Sequence, residues 1–353
     1  MTTPGTAGGP GELMAAEIAE QPTVLARAFH QSRPQVRAVA ARLQKAGPRF
    51  VVLAGRGSSD HAALYGKYLI ETGLGLPCGL ASLSTLTGYD AEPELSDVLW
   101  IAVSQSGSSP DLVESTQKAA RAGALTLALT NRPESPLASA AELHIDVGAG
   151  PELSVAATKT YTAQLQALWL LIDAVRGGNG DAARAVPDAV AEVLEADAVS
   201  GLRDRFRYVE RLITVGRGFS YPTARESALK LMETSYLAAH AFSGADLMHG
   251  PLAMVDQDGP VVVVAPRGIA GRLLVPVLSA LRERRADVVV VGDPALAHEH
   301  RARVCVPVPS RVEGALSSLV EIVPLQRLAL ELALDRRLDP DHPRGLSKVT
   351  ETT

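Results

Sequence analysis

The sequence predicts an α/β protein built from two copies of one open unit, each with a parallel sheet covered by helices. Three observations point there. Short segments recur in pairs at a nearly constant offset: VVLAGRGSS (51–59) with LITVGRGFS (212–220), IAVSQSG (101–107) with VVVAPRG (262–268), and ALTLALTN (124–131) with ADVVVVGD (286–293). Gly55 and Gly216 are 161 residues apart, as are Gly107 and Gly268, and Ala124 and Ala286 are 162 apart. Each segment is a short apolar run rich in Val, Ile and Leu that ends in a glycine or polar turn, as strands buried on both faces read. Each is followed by a stretch with helical spacing, the alternation that places crossover helices on a parallel sheet.

Taken in order, residues 1–14 (MTTPGTAGGPGE and the two that follow) are expected to be disordered, being rich in Gly, Pro and Thr. The first unit is expected over 15–185 and the second over 198–340, with a C-terminal tail over 341–353. Between the units, RGGNGDAARAVPDA (176–189) has the Gly, Pro and polar content of a connection leading into a further helix. In the second unit a helix is expected from Pro222 onward, with Leu229, Glu233, Leu237 and His240 on one face.

Bulk properties narrow the function classes. The 353 residues are 46% hydrophobic, 21% charged and 4% aromatic, with a formal net charge of −5, which describes a globular protein large enough for two cores. No Lys/Arg block gives an electrostatic footprint for nucleic acid or anionic membrane, so neither is expected as a partner. No apolar run approaches the roughly 20 residues of a membrane span. The two cysteines, Cys78 and Cys305, match no metal or redox spacing. With no secretion signal visible, a soluble cytoplasmic protein with a small-molecule ligand is expected.

The halves differ in chemistry. SQSGSSPD (104–111) offers the hydroxyls of Ser104, Ser106, Ser108 and Ser109 at the start of a helix, an arrangement suited to a phosphate monoester. Ser59 in GRGSSDH adds a donor from the neighbouring turn, where Gly55 and Gly57 permit close backbone approach. Ser108 and Ser109 could equally cap the helix. The second unit reads APRGIAG at the equivalent turn, so the fold itself needs no hydroxyls there, which favours a phosphate site. A P-loop is absent, and GRGSSDH lacks the third glycine of a dinucleotide fingerprint. In the second unit Glu226 and Lys230 read as a solvated i,i+4 pair. Glu233 interrupts an apolar face, where it reads either as a surface charge or as a cleft carboxylate of raised pKa suited to general base work. His249, before Gly250-Pro251, reads on its own as structural, and HEH (298–300) as solvated loop.

These motifs resemble those of the sugar isomerase (SIS) family, specifically the tandem-SIS isomerase portion of glucosamine-6-phosphate synthases (glutamine-fructose-6-phosphate aminotransferases). The likeness runs through EIAEQP (17–22), SQSGSSPD, TNRPESPLA (130–138), GPELSVAATKTYTAQL (150–165), GRGFSYPTARESALKLMETSY (216–236), LMHGPLAMVD (247–256), VPLQRLALELAL (323–334) and HPRGLSKVTETT (342–353). It implies two tandem SIS domains, each a three-layer αβα flavodoxin- or Rossmann-like parallel sheet. It implies phosphate contacts from Ser59, Ser104, Gln105, Ser106 and Ser109, with Gly57, Ser58, Val155, Ala157 and Ser347 close to the substrate. It also implies Glu233 as the base that moves a proton between C1 and C2, and His249 as the ring-opening histidine, contributed across a homodimer interface. Lys348 is the tail lysine that forms an imine with the sugar carbonyl. Neither metal nor cofactor is implied.

Two positions depart from the family pattern: Ala157 stands where it has a serine, and Ser108 where it has an acidic residue. The glutaminase domain of the synthases is not expected on this chain. The leading expectation is therefore a glucosamine-6-phosphate deaminase yielding fructose 6-phosphate and ammonia. The alternatives are a dehydratase acting on N-acetylglucosamine 6-phosphate with the same base, a fructosamine-phosphate deglycase or related aldose-ketose isomerase, and a non-catalytic sugar-phosphate sensor.

Overall fold

In the computed structural model, residues 9–196 and 198–348 are described. The first sheet contains β1 (Phe50–Ala54), β2 (Cys78–Leu80), β3 (Val98–Ser104), β4 (Leu125–Thr130) and β5 (Leu143–Asp146) in the order β2-β1-β3-β4-β5. The second contains β6 (Arg211–Gly216), β7 (Ala238–Ser243), β8 (Pro260–Ala265), β9 (Asp287–Gly292) and β10 (Val304–Pro307) in the order β10-β9-β8-β6-β7. Read from the other edge, the second order repeats the first. All pairings are parallel. The central strands are buried on both faces, as the continuous apolar runs require; Val261, Val262, Val263 and Val264 of β8 are at most 1% exposed.

The repeat is enforced at its turns. A Cβ on Gly55 would lie 2.6 Å from Ser59 O, and one on Gly216 would lie 2.2 Å from Ser220 O. In both units the following helix starts directly over the strand end, and only glycine leaves room for it.

The units share one interior. Helices Ser58–Gly73 and Lys159–Val175 of the first and Ser220–Ser235 and Ser317–Asp335 of the second lie between the two sheets, and Leu53, Tyr65, Leu168, Leu231, Val264 and Leu328 belong to one apolar cluster. Separate clusters back the outer face of each sheet. At roughly 25 cal/mol per Å² of buried apolar surface, such a joint core holds the units at fixed positions. Among the described residues no helix is long and apolar enough to cross a membrane.

Two expectations need correction. Helix Glu12–Ala19 begins inside the segment expected to be disordered, because the Asp341 carboxylate accepts the N–H groups of Leu13 and Met14 at 3.0 and 2.8 Å. Residues 1–8 lie outside the described residues. The helix expected to carry His240 is Ser220–Ser235 only; Tyr236 takes a left-handed conformation (φ 54) and the chain turns into β7. His240 is therefore an exposed strand residue paired with Ile213 in the register and stacked near Phe242.

Candidate active site

A cavity of about 290 Å³ opens at the carboxyl ends of β1 and β3. The chain leaves β1 toward β2 on one side and then returns to β3 on the other, so this is the topological switch point where open α/β sheets bind ligands. Its walls include Gly57, Ser58, Ser59, Ser104, Gln105, Ser106, Ser109, Val155, Ala157, Glu233, Ser347 and Lys348. Twelve of the thirteen site residues that the family resemblance implies line it; His249 does not, and neither does Ser108, the remaining hydroxyl of the 104–111 loop.

The first unit supplies the hydroxyl-lined side. The Ser104 hydroxyl accepts the N–H of Gly107 at 3.0 Å, and that of Ser106 accepts the N–H of Ser108 at 3.2 Å, which folds the loop over the strand end. Ser59 accepts from Gln164 Nε2 at 3.0 Å. Ser109 occupies the N-cap of helix Pro110–Arg121, yet its side chain makes no capping hydrogen bond. Capping therefore does not account for that hydroxyl. Arg56 also lines the cavity, held by the buried Asp111 carboxylate at 2.7 Å, and adds a cation beside the helix N-terminus.

The second unit supplies the ionisable groups, with burial the reverse of what the sequence suggested. Glu226 is fully buried rather than solvated: its Oε1 accepts from Ser58 Oγ at 2.8 Å and its Oε2 lies 2.8 Å from His61 Nδ1, both on a first-unit helix. Lys230 is 1% exposed, with Nζ 3.5 Å from Glu226 Oε1 and 2.5 Å from Glu233 Oε2. Glu233 itself is partly exposed in the cavity wall, and the apolar neighbour Met232 is exposed at 41%. Burial pushes the Glu226 carboxyl up, but Lys230, His61 and Ser58 outweigh it and hold it below its ordinary value. Burial likewise acts to lower Lys230, and the charges of Glu233 and Glu226 reverse that, so its ammonium is retained. The expected burial of Glu233 is replaced by ion pairing to a buried lysine.

Lys348 reaches the cavity from the C-terminal segment. Its Nζ donates to Ser154 O at 2.5 Å and lies 3.6 Å from Oε2 of Glu152, a fully buried carboxylate whose Oε1 accepts the N–H groups of Thr158 and Thr160. Glu17 accepts the N–H groups of Leu153 and Ser154, and burial, reinforced by the Glu152 charge, pushes its carboxyl up to about 7 despite the Leu153 hydrogen bond. Two acids thus hold the loop against which the lysine rests.

His249 is exposed just after the short helix Gly244–Met248, and Gly250 follows with φ 125. Arg56, Lys230, Glu226 and His61 are the residues that sequence reasoning left out of the site. The signal available for Arg56 was a lone cation between two glycines, Gly55 and Gly57, of a turn expected to approach a phosphate. For Lys230 it was the i,i+3 spacing to Glu233, and for His61 there was none, because Glu226 lies 165 positions further on. Among the described residues no group of three or more metal-ligating side chains forms, and HEH (298–300), expected as solvated loop, instead ends helix Pro294–Glu299 with His300 buried.

The SIS domain family matches residues 44–174 and 206–335. The chain is 37% identical over 297 residues to a glutamine–fructose-6-phosphate aminotransferase (isomerizing) of Methanothermobacter thermautotrophicus, covering 83% of this chain and 50% of that protein. It is 36% identical over 351 residues to the Thermococcus kodakarensis protein of the same description, covering 95% of this chain and 57% of the relative. The chain thus spans about half the length of these relatives. The solved C-terminal domain of glucosamine-fructose-6-phosphate aminotransferase from Francisella tularensis superposes with a TM-score of 0.87 at 26% identity, over 96% of this chain and all of that domain.

Proposed function

This chain belongs to the SIS domain family, and from that premise we propose that it is an amino-sugar 6-phosphate isomerase that deaminates glucosamine 6-phosphate to fructose 6-phosphate and ammonia. The observation that carries the reading is the convergence of a hydroxyl-lined anion loop, a lysine-paired carboxylate and a second lysine on one small cavity. Its volume is at the small end of the roughly 300–1,000 Å³ usual for ligand sites, which suits a compact polar substrate. The phosphate does not react, so its binding energy fixes the position of C1 and C2.

In this reading the loop of Ser104, Gln105, Ser106 and Ser109, with Ser59 and Arg56, holds the phosphate. Glu233 takes the C2 proton of the open-chain aldehyde and returns it at C1, while a proton passes from the amino nitrogen to O1, leaving an imine at C2. The ε-amine of Lys348 exchanges with the imine nitrogen and releases ammonia. Water then hydrolyses the lysine imine to the ketose and restores Lys348. Gly57, Ser58, Val155, Ala157 and Ser347 shape the cavity around the sugar.

Ring opening requires an acid, and His249 stands outside the cavity of its own chain. We assign it to the cavity of a second copy in a homodimer. Incubation with glucosamine 6-phosphate, with ammonia and fructose 6-phosphate measured together, tests the reading. Equal molar release of both, abolished in Glu233→Gln, is expected; no release above that variant overturns it.

A further inference from the structure

We propose that His61 is a positioning residue for this proton transfer: from the phosphate-binding unit it fixes the Glu226 carboxylate and thereby sets how the Lys230 ammonium is shared between Glu226 and Glu233. The proposal rests on the assignment of Glu233 as the base. Ser58 and His61 lie three residues apart on helix Ser58–Gly73, so both face the second unit. They engage different oxygens of one carboxylate, Ser58 Oγ at Oε1 and His61 Nδ1 at Oε2, each at 2.8 Å. Glu226 has no exposure to water, and an ionised carboxylate only accepts, so the His61 proton resides on Nδ1.

Lys230 sits unequally between its partners, 3.5 Å from Glu226 Oε1 and 2.5 Å from Glu233 Oε2. That asymmetry needs the Glu226 charge to be met elsewhere. With the donor on Oε2 removed, the uncompensated charge in a dry site draws the ammonium toward Glu226 and away from Glu233. Glu233 then changes both its position and the charge it presents at C2. His61 does not line the cavity, so it acts through Glu226 and Lys230 and not on the sugar.

Asparagine places an amide nitrogen near the position of Nδ1, whereas glutamine reaches the position of Nε2. His61→Leu is therefore expected to lose roughly 10- to 100-fold in kcat, a fraction of what a general base contributes, with KM and affinity for inorganic phosphate unchanged. His61→Asn is expected to recover most of that loss and His61→Gln little of it. Wild-type kcat in His61→Leu overturns the proposal, as does an equal fall in His61→Leu and His61→Asn, or a fall that only follows lost phosphate affinity and thermal stability. Nitrogen-15 NMR of the histidine rings reads the tautomer without turnover. A proton on Nδ1 is expected, and one on Nε2 alone overturns the proposal. If the wild type turns over no sugar phosphate, the proposed reaction fails, while the tautomer still decides the role of His61.

Discussion

Lys230 and Glu233 lie one helical turn apart with Nζ 2.5 Å from Oε2, and the lysine is the buried member of the pair, 1% exposed against 21% for the glutamate. The carboxylate in the cavity wall is thus backed by an almost fully buried cation. Removing that cation leaves Glu226 charged and buried, a change that costs about 3–5 kcal/mol in comparable pairs. Lys230→Met is expected to lower unfolding free energy by that order and to abolish turnover. Urea denaturation followed by an activity assay checks both.

Ser109 separates the two uses of a helix N-terminal hydroxyl. A capping serine replaced by alanine loses about 1 kcal/mol of stability. Because the Ser109 side chain caps nothing, Ser109→Ala is expected to keep the wild-type Tm and to raise KM for a sugar phosphate about tenfold, the worth of one charge-assisted hydrogen bond. Differential scanning calorimetry and steady-state kinetics distinguish the outcomes.

Glu17 and Glu321 are both buried acids pushed up to about 7, in each case chiefly by burial; for Glu321 the hydrogen bond from Ser317 opposes it. A carboxyl whose folded pKa exceeds its unfolded value favours the folded state while protonated. That contribution is complete below the unfolded value near 4.5, declines as pH rises, and is lost above about 7. The wild type is therefore expected to lose stability between pH 5 and pH 8. Glu17→Gln and Glu321→Gln should each flatten that slope, as thermal unfolding across the interval would show.

If His249 serves a partner's cavity, two inactive variants should complement each other. A mixture of Glu233→Gln and His249→Asn subunits, unfolded together and refolded, builds heterodimers in which one of two cavities has both residues intact. About a quarter of wild-type activity is expected from random pairing in a two-fold dimer. Activity no higher than that of either variant alone would place His249 in its own chain's cavity.

Much of this architecture was legible in the sequence because its causes are local. The apolar runs of β1, β3, β4 and their counterparts follow from burial on both faces, and Gly55 and Gly216 from the lack of room for a Cβ. The hydroxyl loop stood out because APRGIAG shows that the same turn forms without the hydroxyls. What escaped was set by distant packing. Glu226 and Lys230 have i,i+4 spacing whether they face water or another unit, and only the arrival of Ser58 and His61 decides that they are buried. The overrun past Ser235 has a local origin of a different kind: the helix ends on a left-handed tyrosine, Tyr236, where glycine or asparagine would have marked the stop.

The central claim, that Glu233 moves the proton at C2, is tested most directly with glucosamine 6-phosphate carrying deuterium at C2. NMR of substrate and products over time follows the label. Wild-type protein is expected to carry it from C2 to C1 of fructose 6-phosphate or to lose it to solvent, and Glu233→Gln is expected to leave it at C2. Loss of the C2 label in Glu233→Gln at the wild-type rate would contradict the account.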